Sequence, residues 1–130
     1  MQDDGFFSKD AYAKLTGIEV VATGPGTAKV KMAVEPKHRN SHGTVHGGAI
    51  FTLADAAFAL ASNSRGIPAA AINSSITYMK AARDGVLYAE AEEFAVNPKL
   101  ATYSVTVTND EGEKIALFQG MVYRKSPKHA

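Results

Sequence analysis

The sequence predicts an α+β fold: an antiparallel sheet of about five or six strands wrapped around one long central helix, with a short helix ahead of both. Three observations carry this expectation. The stretch from Ala49 to Arg65 contains neither Gly nor Pro and is dense in Ala and Leu, both strong helix formers. Its apolar residues fall on every face, so the helix has to be wrapped by other structure. Most of the remaining chain alternates apolar and polar residues with the period of two that marks strands, broken by Gly-containing turns.

Taken in order, residues 3–16 (DDGFFSKDAYAKLT) read as a short amphipathic helix, with Phe6, Phe7, Tyr12 and Leu15 available to dock it. Two period-two segments flank the turn Gly24-Pro25-Gly26. In the second, Ala28, Val30, Met32 and Val34 alternate with Thr27, Lys29, Lys31 and Ala33, the pattern of a strand with one buried and one solvated face. Pro36 and the polar run His38-Arg39-Asn40-Ser41 end it and open a loop that reaches Gly48. After the central helix, Asn63-Ser64-Arg65-Gly66-Ile67-Pro68 supplies stop signals.

Residues 69–79 then alternate Ile72, Ser74, Ile76 and Tyr78 against Asn73, Ser75, Thr77 and Met79. Strands at 86–96, 100–108 and 114–124 follow, separated by Arg83-Asp84-Gly85 and by the hairpin signal Asn109-Asp110-Glu111-Gly112. No repeat or linker divides the chain, so residues 1–130 read as one domain. A sheet covers only one side of a helix; burying the remaining apolar surface favours a homodimer or larger assembly.

Composition narrows the function classes. The 130 residues suffice for a hydrophobic core, and 45% hydrophobic with 21% charged residues is ordinary for a soluble domain. A net charge of +1 gives no electrostatic case for nucleic acid or a membrane surface as partner. The absence of cysteine excludes disulfides, thiolate nucleophiles and Cys-ligated zinc. Asp3 and Asp4 replace the basic start of a signal peptide, and the helix at 49–61 is too short and Ala-rich to span a bilayer, so a cytoplasmic protein is expected.

Between His46 and Arg65 the only ionisable side chain is Asp55. A carboxylate in apolar surroundings loses hydration worth on the order of several kcal/mol unless it is paired. Two turns inside a helix that starts near Gly48, it has no free backbone N–H to cap. Partial desolvation raises a carboxyl pKa, which suits a general base or nucleophile. Gly47 and Gly48, at the helix start, leave N–H donors unobstructed by side chains, the makings of an oxyanion hole; each such donor is worth roughly 3–4 kcal/mol in a transition state. His46 is read either as fixing the loop around Gly47 or as contacting substrate.

The run Asn40-x-x-Gly43-x-x-His46-Gly47-Gly48-x-x-x-x-Leu53-x-Asp55, followed by Asn63-Ser64-x-Gly66, resembles the PaaI-type (phenylacetic acid degradation) subgroup of hotdog-fold acyl-CoA thioesterases. The resemblance continues through Ser75-Ile76-Thr77-Tyr78 and Ile115-Ala116-Leu117-Phe118-Gln119-Gly120, covering about residues 10–124. It implies a thioester hydrolase with no metal or redox cofactor, acting on an acyl-CoA substrate. It assigns Asp55 as general base or nucleophile, the Gly47 N–H to the thioester carbonyl, and Asn40 to orienting nucleophile or substrate. It also implies a site shared across a homodimer, with dimers commonly pairing into tetramers.

Two departures stand out. Where relatives carry a Ser or Thr near the start of the third strand this chain has Ala71, leaving Asn73 or Ser75 as substitutes on one strand face. Where relatives often have Pro after Lys80 it has Ala81.

Phe51 and Phe58, among Ala56, Ala57, Ala59 and Ala61, suggest with Gly48 a pocket for an aromatic or short-to-medium acyl group. Lys80, Arg83 and Lys99 are candidate CoA phosphate contacts by charge. Three alternatives are a metal-dependent hydrolase using His38, His42 and His46, a non-catalytic acyl-CoA-binding protein, and a hydratase. The residues around the histidines argue against the helix that the metal reading requires.

Overall fold

The structure, a computed structural model, describes residues 5–125. A 3-10 turn at Phe7–Lys9 precedes α1 (Ala11–Thr16), β1 (Ile18–Gly24) and β2 (Thr27–Ala33). A second 3-10 turn, Pro36–His38, leads through the loop into α2 (Gly47–Ser62), and β3 (Ala69–Tyr78), β4 (Val86–Val96), β5 (Leu100–Thr108) and β6 (Lys114–Arg124) complete the order. All pairings are antiparallel, in the order β1-β2-β4-β5-β6-β3, so β1 and β3 are the edges.

α2 forms where the Ala- and Leu-rich run predicts it, and both its ends are tied to the rest of the fold. At the start, the His46 side chain accepts from the Gly48 N–H. At the end, Asn63 donates to the Ala59 carbonyl at 2.9 Å and accepts from the Ala69 N–H at 3.0 Å, joining the helix to the first residue of β3. Leu53, Ala57, Phe58 and Ala61 are buried against the sheet, which contributes Val30, Met32, Leu87, Val105, Phe118 and Val122. The Phe58 ring meets Phe118 at 5.4 Å and Tyr103 at 5.9 Å, tilted and edge-on, the arrangement aromatic pairs prefer.

Two expectations are corrected. The N-terminal helix expected over 3–16, whose first two residues lie outside the described ones, is divided at Asp10. The Asp10 carboxylate accepts from the Ala13 N–H and starts α1 afresh as its N-cap. Phe7 and Ala13 dock the segment, while Phe6, Tyr12 and Leu15 stay exposed.

The sheet covers α2 on one side only, as expected. Gly48, Thr52, Asp55 and Ala59, at helical spacing, form one stripe that no sheet residue buries.

Finally, a bulge between Ala71 and Asn73 breaks the simple alternation of β3, with Ile72 as the extra residue. Asn73, Ser75 and Thr77 therefore share the outer face with Met121, Gln119 and Leu117, away from α2, while Ile76 lies opposite buried Phe118 on the inner face.

Gly120 shows how tightly α2 sits on the sheet. A Cβ there would lie 2.6 Å from Phe58 Cζ, inside van der Waals contact. Gly120→Ala is expected to destabilise the protein by about 1–3 kcal/mol through overpacking. Adding Phe58→Leu should return part of the loss. Urea midpoints at one protein concentration measure both, and an unshifted midpoint for Gly120→Ala would contradict the packing.

Candidate active site

The loop ahead of α2 is held from within. Asn40 Oδ1 accepts from the backbone N–H groups of His42 (2.9 Å) and Thr44 (3.1 Å), and the Asn40 N–H donates to the Thr44 carbonyl at 2.8 Å. Gly43, at φ +81°, makes the left-handed turn that lets the loop double back. The Val45 N–H donates to the Ala82 carbonyl and the His46 N–H to that of His38, so the helix start is fixed to both flanking segments. Asn40 is thus the staple of this loop, its carbonyl oxygen already engaged twice by backbone.

At the helix start the two glycines part company. The Gly48 N–H donates to His46 Nδ1 at 2.8 Å, which leaves a neutral His46 protonated on Nε2. The Gly47 N–H has no acceptor among the described residues. Tyr78, at the end of β3, donates its hydroxyl to the Gly47 carbonyl at 2.9 Å, and a Cβ on Gly47 would sit 3.1 Å from the Tyr78 ring. Close approach of that ring is what Gly permits here. The amide that remains free is the first of α2, carrying the partial positive charge of the helix N-terminus.

Asp55 lies on the open stripe of α2, half-buried, with no hydrogen-bond or ion-pair partner among the described residues. Burial raises its pKa above the usual 3.8, and the negative charge of Asp10, the cap of α1, pushes it further the same way. A carboxylate in this state is a proton acceptor and nucleophile with little competing for it. Gly47 and Asp55 stand eight residues apart on one helix, a rise of roughly 12 Å.

The remaining predicted residues are scattered. Phe51 is half-buried and meets Phe118 edge-on at 5.3 Å. Phe58, only 2% exposed, is core and is corrected as a pocket residue. Asn73 and Ser75 line an outer-face hollow of about 370 Å³ with Thr102, Ser104 and Gln119, so within one chain neither faces the Asp55 side of the sheet; the bulge at Ile72 sets this. Lys80 is paired with Glu113 at 3.1 Å. Arg83 lies before β4 and Lys99 after it, roughly 35 Å apart by strand rise, so they do not form one phosphate site in a single chain.

The histidine alternative fails on geometry. His38 is buried, its Nε2 2.6 Å from the Thr16 carbonyl and its Nδ1 accepting from the Glu35 N–H. His42 is exposed on the loop and His46 caps α2. Among the described residues no three His, Cys, Asp or Glu side chains converge as a metal site would require.

Two contributors were missed from sequence. Asp10 carried a legible signal, a capping residue ahead of a helix, but its apposition to Asp55 is a tertiary fact. The contact of Tyr78 with Gly47 had no local signal at all.

Comparison with known proteins identifies the family and the fold. The family model described as thioesterase superfamily matches residues 42–116. A protein of Archaeoglobus fulgidus is 48% identical over 122 residues, 93% of this chain and 79% of that protein. Acyl-coenzyme A thioesterase PaaI of Escherichia coli is 34% identical over 119 residues, 91% of this chain and 85% of that protein. The solved structure of E. coli PaaI, from the phenylacetic acid degradation operon, superposes with a TM-score of 0.92 at 32% identity, covering 96% of this chain and 91% of that one. A point mutant of the phenylacetic acid degradation protein PaaI from Thermus thermophilus superposes at 0.86 with 40% identity, covering 89% of this chain and 100% of that one. The hotdog arrangement expected from sequence is the fold of these relatives. Among the described residues no helix is long and apolar enough to cross a membrane.

The raised pKa of Asp55 has a consequence for stability. Its folded value lies above its unfolded one, so the folded state holds the proton more tightly. Stability from this group is present below the ordinary value of 3.8 and is lost as pH rises through the raised one. Asp55→Asn is therefore expected to raise the melting temperature at neutral pH, with the gain shrinking in acid. Thermal melts of both proteins across pH check this; an Asn variant that melts lower at neutral pH would contradict the burial argument.

Proposed function

The chain belongs to the thioesterase superfamily, as a hotdog-fold thioester hydrolase of the acyl-CoA thioesterase kind, and we propose that its site joins Asp55 of one subunit to the Gly47 amide of another. The observation that carries this reading is Asp55 itself: a half-buried carboxyl with no partner among the described residues, on the open stripe of a helix otherwise packed in the core. An unpaired carboxylate at such a place is a burden on folding and is retained where it reacts.

In the reaction, the thioester carbonyl oxygen accepts from the Gly47 N–H, whose donor strength is raised by the helix N-terminus. Asp55 acts in one of two ways on the carbonyl carbon. As general base it takes a proton from an attacking water; as nucleophile it forms an anhydride that water then opens. Either way the C–S bond breaks, the CoA thiolate leaves and takes up a proton, and the free acid is released. His46 holds the Gly48 amide, and with it the angle at which the neighbouring Gly47 amide is presented. Asn40 acts one step further out, by holding the loop.

The separation of Gly47 and Asp55 along α2 supports a homodimer as the working unit, since two copies are needed to complete one site. The names of the relatives favour an aryl-acetyl group on the acyl-CoA, with short-to-medium aliphatic chains as the other class to test.

Asp55→Asn is expected to lower kcat on phenylacetyl-CoA by about 10²–10⁴-fold. Near-normal turnover would remove Asp55 from the mechanism.

The amide can be tested separately, because Gly47 is the first residue of α2. His46, at φ −62° and ψ 136°, already has a backbone compatible with a following proline. Gly47→Pro deletes the N–H, while Gly47→Ala adds comparable crowding against Tyr78 and keeps it. The Pro variant should turn over about 10²–10³-fold more slowly than the Ala variant; equal rates would exclude the amide.

Mixed oligomers of Asp55→Asn and Gly47→Pro chains should regain about a quarter of the wild-type rate, since half the dimers are mixed and each holds one intact site. No recovery on mixing would place both groups in one subunit.

A further inference from the structure

A cleft of about 370 Å³ lies between α1 and α2, apart from the two groups assigned to the reaction. We propose that this cleft receives the acyl group of the thioester, and that Tyr12 and Leu15 on α1 decide which acyl groups fit. The inference rests on the Asp55 reading above and adds the specificity that reading lacks.

The placement of α1 is the first support. Its N-cap, Asp10, lies close enough to Asp55 for the two charges to interact. Its other end is clamped: Lys37 Nζ donates to the Leu15 carbonyl at 2.9 Å, and His38 Nε2 meets the Thr16 carbonyl at 2.6 Å. Because the His38 carbonyl in turn accepts from the His46 N–H, that end is level with the start of α2. The short helix thus runs antiparallel over the open stripe of α2, from the level of Asp55 back to that of Gly48. It is a fixed wall, docked through buried Phe7 and Ala13 and clamped at its C-terminal end.

The chemistry of the lining is the second. Tyr12 and Leu15, three residues apart, share one face of α1 and stand 66% and 71% exposed. They form one wall of the cleft, and Gly48, Ala49 and Thr52 form its floor. Large apolar side chains over a floor of small ones make a slot for a flat or slender apolar group, and the volume falls in the range of small-ligand sites. Thr52 precedes Asp55 by one turn, so the floor leads to the carboxyl. A thioester carbonyl held at Asp55 would send its acyl group along this slot.

Charge argues against the CoA phosphates as the occupant. Arg39, at the lip, is paired with Asp84 at 2.9 Å and donates to the Gly43 and Arg83 carbonyls. Lys37 is engaged by the Leu15 carbonyl and faces Glu35 at 3.6 Å. With those cations engaged, the cleft presents the Tyr12 ring and Leu15 over small residues, with His46 and Thr52 as polar edges, a lining that suits an aryl-acyl group.

Two measurements test this. Tyr12→Ala combined with Leu15→Ala changes exposed positions only, and a far-UV spectrum and melt confirm the fold. The double variant is expected to lower kcat/KM for phenylacetyl-CoA about tenfold relative to acetyl-CoA. Separately, wild-type protein should bind S-phenethyl-CoA, a thioether that cannot be hydrolysed, more tightly than CoA, and the double variant should lose that difference. An unchanged substrate ratio together with an unchanged binding difference overturns the cleft assignment and leaves the Asp55 reading intact. Full turnover by Asp55→Asn overturns that reading instead, while the thioether measurement still decides the cleft.

Discussion

Phe58 sits on α2 one turn after Asp55 and plunges into the sheet, its ring against Phe118 and Tyr103 and above the bare backbone of Gly120. That contact sets how α2 is rotated about its own axis. A helix rich in Ala on every side would pack in several rotations at similar energy; one large aromatic and one glycine-sized hollow select among them. With Phe58 inward, the residues about a quarter turn away face out, and those are Gly48, Thr52, Asp55 and Ala59. The outward placement of the Asp55 carboxyl is therefore a consequence of core packing elsewhere on the same helix.

The helix start is organised on a similar division of labour. One amide is capped by His46, which satisfies the helix; the next one upstream has no acceptor among the described residues. A free N–H at a helix N-terminus ordinarily costs little because water reaches it. Here its direction is fixed by Tyr78 on the Gly47 carbonyl, by Ala82 on Val45 and by His38 on His46. The donor is preorganised by contacts that do not touch it, the condition under which a dipole acts on developing charge without having to reorient. Asp55 shows the opposite side of the same arrangement: no group near it among the described residues offers a hydrogen bond, and Asp10 adds a repulsive charge. Stability is given up at one residue and recovered over the large buried face of α2.

The sequence made the elements legible because each has a local signature: an uninterrupted Ala/Leu run, alternating strands, glycines in turns. It made Asp55 and Gly47 legible for a different reason, since a lone carboxyl in an apolar helix and a glycine pair at its start are anomalies in any fold. What it could not supply is whatever depends on rotation or register. Phe51 and Phe58 are both apolar residues in a helix apolar all round, and periodicity cannot tell which one enters the core when no polar face marks the outside. Asn73 and Ser75 lie beyond a bulge that one inserted residue creates, and no pattern of side chains announced it. Lys80, Arg83 and Lys99 were grouped by charge alone; the topology places Lys99 at the opposite end of the sheet from Arg83. Tyr12 and Leu15 were read as docking residues because a short amphipathic helix normally buries its apolar side, and their exposure is what first marks the cleft.

The two edges of the sheet differ in a way that bears on the proposed second copy. Natural edge strands of monomers are protected by charges, bulges or covering segments, because a bare edge recruits another strand. β1 carries Glu19, bonded across to Lys31, and a bulge between Val20 and Ala22. β3 carries no charged residue from Ala69 to Tyr78, and Ile72, Tyr78 and the adjoining Met79 are exposed along it. Its own bulge lies toward the start, leaving the run from Asn73 to Tyr78 regular. On the rules that govern edges, β3 is the strand that should be covered, and Tyr78 joins its far end directly to Gly47. Pairing there would hide an unprotected edge and bring a neighbouring chain to the end of the fold that holds the Gly47 amide, the geometry the proposed shared site requires.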